Sequence, residues 1–407
     1  MGLLETGSKM NIVYYLSTFP KLSESFILNE IYELVQKEHN VAVCALKKPD
    51  ELIAHEEFNE LDIPVYYING PTHSNLLELF STKTLHPRIL SNIFYRAPPR
   101  THAANLLRAK QCIEFIDSLD WEPDQFHSHF AKVPMFAAKY ASDYYKVPFT
   151  ITTHAVNLYK EPVGSYTKSL LQKPDRIVTI SEYNKKYIQK QFVSKTPIDI
   201  VRAGIRPEKF VPTELSEPNR ILSISRFVEK KGLSYALKAV SIAVEQIPNI
   251  EYHIIGSGKL KPKLVQETQQ LGIEENVLFL DNVTDHRLVT ELDEARAFLL
   301  PCVISESGDR DGIPVVLMEA MAMKTPPVST TVSGIPELIE HQQNGLLTEP
   351  RDPEATADAL LELLRNDSDW AIFSERARQK VCAEFNIKSE VDKLETTFRE
   401  AQIESQR

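Results

Sequence analysis

From Asn11 onward, short unbroken apolar runs alternate with longer stretches in which apolar residues recur at helical spacing. Asn11–Ser17 (NIVYYLS) is the first such run, and its continuous hydrophobicity suits a strand buried on both faces. A loop follows, then a helix from about Ser23 to Lys37, with Ser23 as cap and Glu24 in its first turn. Val41–Leu46 and Pro64–Ile68 are further strands, and Ala103–Ser118 is helical. Asp124–His129 (strand), Pro134–Tyr145 (helix), Phe149–Thr153 and Arg176–Ile180 (strands) and Glu182–Gln191 (helix) complete the first half. Strands that alternate with helices imply a parallel sheet covered on both faces.

The pattern then restarts. Arg220–Ser225, Glu251–Ile255, Val277–Leu280, Ala297–Leu300 and Pro327–Thr330 read as strands, with helices over Lys231–Gln246 and Lys259–Leu271. Between the halves the period is lost in a stretch holding Gly204, Pro207 and Pro212. The expected organisation is a first domain over 10–203, a linker over 204–217, a second domain over 218–366, and helices over 367–407 that cross back to the first. The fold class is α/β: two doubly wound, Rossmann-like domains facing across a cleft at the carboxyl ends of their strands.

Composition agrees with a globular chain. The 407 residues are 43% hydrophobic and 25% charged, and no apolar run reaches the roughly 18 residues of a membrane span. Residues 1–9 lack a secretory pattern and are expected to be an extension before Met10, which gives a cytoplasmic location. Cys44, Cys112, Cys302 and Cys382 have no metal-ligand spacing and are expected to be reduced. The net charge of −10 lies wholly in the second half, since residues 1–200 hold 22 basic and 22 acidic side chains. Nucleic acid is therefore excluded as a partner. One stretch, 79–113, has no acid but carries Lys83, Arg88, Arg96, Arg100, Arg108 and Lys110 among aromatic and aliphatic residues. It is either a basic rim or a peripheral contact with an anionic membrane surface at its inner face.

The chemistry concentrates in Pro301–Gly334. Asp311 is followed by Gly312-Ile313-Pro314 and an apolar helical run that carries Glu319. Pro314 suits the first helical turn, so the helix start is expected near Gly312 and Ile313, with free amides for an anion. Two carboxylates eight residues apart then face one hydroxyl-rich, phosphorylated ligand. Upstream, Ser225–Gly232 (SRFVEKKG) presents Arg226 and Lys231 at a strand end, where they can grip a diphosphate, with Lys230 as a bystander. Gly256 and Gly258 either admit a ligand to the backbone or make a tight turn. Asp309-Arg310-Asp311 has the spacing of a divalent-metal pair, but Arg226 and Lys231 already supply positive charge, so neither metal nor cofactor is expected. His154 follows a strand end; His127 and His129 (FHSHF) are expected on opposite faces of theirs.

These residues resemble those of the retaining GT-B glycosyltransferases of family 4, in particular the exopolysaccharide and colanic acid biosynthesis subfamily. Glu319-Ala320-Met321-Ala322 matches the second half of that family's Glu-x7-Glu signature, and Asp311 stands where the first Glu is usual. Arg226 and Lys231 match Arg-x4-Lys-Gly, whose basic pair contacts donor phosphates. The resemblance implies a hydrogen-bonding role for Glu319 towards ribose and for Asp311 towards the sugar. It places His154 and Asn157 near the transferred sugar, and Ser23 and Glu24 of the loop Phe19–Phe26 beside donor and acceptor, with His129 in the same vicinity. The expected activity is transfer of a hexose from a nucleotide-diphosphate sugar to a saccharide or lipid-linked saccharide, with retention. An epimerase or phosphorylase of the same plan, and a non-catalytic sugar-nucleotide binder, remain as alternatives.

Overall fold

The computed structural model describes residues 8–21, 24–49, 56–70, 83–84, 86–91, 98–159, 168, 170–192, 195–213, 216–281 and 283–406. Two parallel sheets organise these residues. The first contains β1 (Asn11–Leu16), β2 (Asn40–Ala45), β3 (Val65–Tyr67), β4 (Gln125–His129), β5 (Phe149–Thr153), β6 (Arg176–Thr179) and β7 (Ile198–Ile200) in the order β3-β2-β1-β4-β5-β6-β7. The second contains β8 (Arg220–Ile224), β9 (Glu251–Ile255), β10 (Val277–Leu280), β11 (Ala297–Leu300), β12 (Pro327–Thr330) and β13 (Leu346–Thr348) in the order β10-β9-β8-β11-β12-β13. The GT-B expectation of two such sheets is met.

Strand order reverses between β1 and β4 in one sheet and between β8 and β11 in the other. Ile12 there lies opposite Gln125, and Ile221 opposite Ala297. Such reversals open a crevice at the carboxyl ends of the strands, where ligands of doubly wound sheets bind. His129 ends β4, the 225–232 loop leaves β8 and the 301–314 loop leaves β11.

β4, β5, β11 and β12 are buried throughout; β11 (AFLL) is the apolar run such burial favours, whereas β4 (QFHSH) buries polar side chains that hydrogen-bond within the lobe. Ile12, Tyr14 and Leu16 of β1 pack with Ile31 and Leu34 of the helix Ser25–Gln36, and with Val391, Leu394 and Phe398 of the helix Ile387–Ser405. The last helix thus lies on the first sheet. Arg176 at the start of β6 anchors it through Glu400 and Glu404, at 2.7 and 2.8 Å.

Two strands escaped the sequence pattern, β7 and β13. Each has three residues at a sheet edge, too short for a hydrophobic period to register. The helix over Pro99–Ile116 begins earlier than its apolar period, because Pro99 fits a first turn that buries nothing apolar. No helix among the described residues is long and apolar enough to cross a membrane.

Candidate active site

In the second lobe, β8 runs into a loop that hydrogen-bonding holds against β9. Ser225 N–H donates to Ile255 O at 3.0 Å, and Phe227 N–H to Ser257 O at 2.8 Å. Gly256 (φ 135°) and Gly258 (φ 153°) make this possible. A β-carbon on either would meet the backbone of Ser225 or Phe227, at 2.0 and 2.6 Å. Their missing side chains therefore accommodate the loop that bears Arg226, as the tight-turn alternative requires. Arg226 itself is exposed.

A short 3-10 turn, Glu229–Lys231, ends at Gly232 (φ 70°) and starts the helix Leu233–Val244. A β-carbon on Gly232 would sit 1.8 Å from Pro301 O, so glycine lets the 301–314 loop close over this turn. Val303 N–H donates to Lys230 O at 2.9 Å, and Glu306 N–H to the Glu229 carboxylate at 3.0 Å.

This closure brings Lys231 Nζ to 2.7 Å from Asp311 Oδ2. Lys230, expected as a bystander, points inward instead: its Nζ is 3.2 Å from Asp309 and 3.3 Å from Asp311. An ammonium thus stands between the two acids of Asp309-Arg310-Asp311, where the metal-pair pattern would require a cation. Burial raises the Asp311 carboxyl, but the Lys231 and Lys230 ammoniums outweigh it and leave the pKa at about 2. Burial likewise pulls Lys231 down, and Asp311 more than restores it, so its pKa is raised. The Cys302 thiol, pushed up by burial and by Asp311, remains protonated and donates to Asp311 Oδ2 across 3.7 Å.

The helix carrying Glu319 spans Val315–Ala322 with Pro314 as its N-cap. Its start is therefore later than the sequence suggested. Pro314 has an extended ψ of 126°, so it precedes the helix rather than opening it. Ile313 is buried in the second-lobe core and Gly312 abuts the first lobe, where a β-carbon would lie 2.8 Å from Ile180 Cδ1. Glu319 is half-buried on the second turn.

In the first lobe, His154 follows β5 and caps the short helix Ala155–Leu158. His154 Nε2 lies 3.0 Å from His129 Nδ1, and His129 Nε2 lies 3.0 Å from Glu30 Oε1. Tyr14 Oη donates to the same carboxylate oxygen at 2.7 Å. His127 Nε2 is 3.9 Å from it, so His127 and His129 share one face. The expectation of opposite faces was wrong: in a strand, successive residues face opposite ways and residues two apart face the same way. Burial pushes His127 and His154 well below the usual imidazole range, so both are neutral.

Donor atoms of Glu30, His127 and His129 fall within 4.8 Å of one another, close enough to share a cation. Both His127 nitrogens, however, already meet threonine hydroxyls, Thr150 at 2.7 Å and Thr152 at 2.9 Å. Both His129 nitrogens are engaged as well, so the arrangement is that of a hydrogen-bond network. Glu24 is the N-cap residue of the helix Ser25–Gln36, where Ser23 was expected; its side chain makes no capping hydrogen bond and pairs with Lys21 at 2.5 Å. Ser23 and the Asn157 side chain lie outside the described residues. Of the basic stretch, Lys83 pairs with Asp117 and Lys110 with Glu114, the latter at 2.7 Å; Arg96 is outside the described residues.

The two lobes meet beside these groups. Glu337 accepts the N–H groups of Glu182 and Tyr183, at 3.0 and 2.8 Å, at the start of the helix Glu182–Phe192. Arg310, next to Asp311, lies over Tyr159, five residues after His154.

Sequence reasoning missed Glu30, Lys230, Arg310 and Glu337. Glu30 left a signal: it is an acid on the apolar stripe formed by Ile27, Ile31 and Leu34. The others acquire their roles through partners distant in sequence.

Residues 205–380 match the glycosyl transferases group 1, and residues 23–209 match Glycosyltransferase Family 4. The amylovoran biosynthesis glycosyltransferase AmsK of Erwinia amylovora is 30% identical over 395 residues, 93% of this chain and 96% of that protein. An Escherichia coli K12 protein named "Putative colanic acid biosynthesis glycosyltransferase WcaL" is 30% identical, with 93% and 96% covered. Anabaena HepE, crystallised with UDP and glucose, superposes with a TM-score of 0.74 at 16% identity, covering 96% of this chain and 100% of that one. TarM superposes with a TM-score of 0.73 at 14% identity, covering 97% and 99%.

Proposed function

The chain belongs to the family 4, group 1 glycosyltransferases, and from that membership we propose that it moves a hexose from a nucleotide-diphosphate sugar to a saccharide or lipid-linked saccharide hydroxyl, with retention. The relatives named for amylovoran and colanic acid biosynthesis support a role in exopolysaccharide or glycolipid synthesis. A fold shared with HepE, which binds UDP-glucose, supports the nucleotide-sugar donor.

The observation that carries the proposal is the Lys231–Asp311 pair at the β8/β11 reversal, 2.7 Å apart and opposite the first lobe. Lys231 and the exposed Arg226 receive the donor diphosphate and stabilise the charge that develops on it as the glycosidic bond breaks. Asp311 is ionised at any working pH, so it can only accept, and it accepts from sugar hydroxyls. Glu319 does the same for the ribose. His154 faces the transferred sugar and, being neutral, receives a hydrogen bond from a hydroxyl. No side chain is assigned as a covalent nucleophile. The reaction then follows a front-face, oxocarbenium-like course in which the departing phosphate oxygen takes the acceptor proton. Contact between the lobes excludes water and limits donor hydrolysis.

A thermal-shift screen of nucleotide sugars tests donor binding. Incubation of the stabilising donor with saccharide and lipid-linked acceptors, followed by NMR of the product's anomeric proton, then tests transfer and retention. An inverted product overturns the stereochemistry. Isomerised donor without transfer indicates an epimerase, and binding with neither transfer nor hydrolysis indicates a silent binder.

A further inference from the structure

Four chemically active side chains form one hydrogen-bonded line through the first lobe: Tyr14, Glu30, His129 and His154. All are buried, with exposures of 0, 8, 1 and 7%. They come from four places in the fold: β1, the helix Ser25–Gln36, β4 and the end of β5. A buried carboxylate is costly unless it is hydrogen-bonded, and Oε1 of Glu30 is met by both Tyr14 and His129.

We propose that Glu30 and His129 are positioning residues that hold His154 in a single tautomer, with Nε2 protonated and Nδ1 a bare acceptor directed at a sugar hydroxyl. The inference rests on the proposed function, in which His154 faces the sugar. Oε1 of Glu30 already accepts from Tyr14 and lies 3.0 Å from His129 Nε2, so the geometry puts the His129 ring proton on Nε2. His129 then offers a lone pair on Nδ1, and the nitrogen 3.0 Å away, His154 Nε2, donates to it. His154 is neutral, so Nδ1 is left bare. Among the described residues, no hydrogen bond is made to that nitrogen. The polarity of the line is thus set at its far end by a carboxylate that touches no substrate.

Packing fixes the ring as well. The His129 and His154 rings lie within 19° of parallel with centroids 5.3 Å apart, as an edge-on hydrogen bond requires, while Phe26 and Phe130 lie 4.7 and 4.6 Å from the His154 ring. Phe130 has φ 67°, an uncommon conformation for a side chain of its size, immediately after β4. Strain of this kind persists where the surroundings enforce it and is concentrated at functional sites.

The test uses the full chain labelled with ¹⁵N-histidine, with His154→Asn to assign the resonance and two-bond proton–nitrogen correlations to read the tautomer. The expected wild-type result is a bare Nδ1 and a protonated Nε2 on His154; the opposite pattern overturns the proposal without any variant. Glu30→Leu removes the acceptor and should give mixed tautomers. It should also lower kcat at least tenfold, with the donor KM within twofold. Unchanged tautomer and kcat would overturn it. If no nucleotide sugar binds the wild type, the functional reading fails, whereas the tautomer measurement stands or falls separately.

Discussion

The Arg310 guanidinium lies 4.8 Å from the centre of the Tyr159 ring, and its Nη1 is 3.4 Å from Tyr183 Oη. Arg310 belongs to the loop that carries Asp311, while Tyr159 closes the short segment that begins with His154. One contact therefore couples the two halves of the candidate site. A cation over an aromatic face contributes about 0.5–2 kcal/mol, depending on its desolvation. Arg310→Ala should lower transfer by up to about thirtyfold and raise the ratio of donor hydrolysis to transfer, read by separating free sugar from product. An unchanged ratio would remove Arg310 from lobe closure.

Lys231→Ala removes the ammonium nearest Asp311 and the principal charge for the diphosphate. Nucleotide-sugar affinity, measured by calorimetry, should drop at least tenfold, since charge-assisted contacts are worth about 1.5–3 kcal/mol. Lys230→Ala should chiefly destabilise the loop, because Lys230 is directed at Asp309 and Asp311. Equal donor affinity in wild type and Lys231→Ala would count against the phosphate clamp.

Asp311 gives a pH signature. Its folded pKa of about 2 lies below the ordinary 3.8, so its contribution is complete above about pH 4 and is lost as pH falls through about 2. The shift corresponds to roughly 2 kcal/mol. Urea unfolding of wild type and Asp311→Asn should differ by a constant amount from pH 5 to about pH 8, and the gap should narrow below about pH 4. A gap that widens in acid would mean the pair is not formed.

Gly232→Ala places a β-carbon 1.8 Å from Pro301 O on a backbone with φ 70°. A non-glycine residue held in this region costs about 1–3 kcal/mol before any clash is relieved. The variant should unfold at lower urea and bind donor weakly, because the 301–314 loop can no longer close over Lys231. Wild-type stability would show that the two loops are not in contact.

Activity should persist in chelator, because Lys230 already stands between Asp309 and Asp311. Complete loss in EDTA, restored by magnesium or manganese, would assign a divalent ion to the site.

Much of this site was legible in the chain. Arg226, Lys231 and Asp311 sit on strand-end loops and Glu319 on a helix that is otherwise apolar, and both loops leave the strands that flank a sheet reversal. The glycines were visible, but what they approach was not: Gly256 and Gly258 make room for a neighbouring strand's loop, and Gly312 for Ile180. The start of the Glu319 helix was placed too early because proline suits both a cap and a first turn, and only its ψ distinguishes them.

Hydrophobic period and strand–helix alternation, which are local properties of consecutive residues, determined the two parallel sheets, nearly all of their strands and the loops that bear charge. Tertiary structure alone decided which charges meet. Lys230 and Asp311 are 81 positions apart in the chain, and Glu30 and His129 are 99. Their distances depend on how whole strands and helices pack, and a buried charge takes its protonation state from whichever neighbour that packing brings within reach.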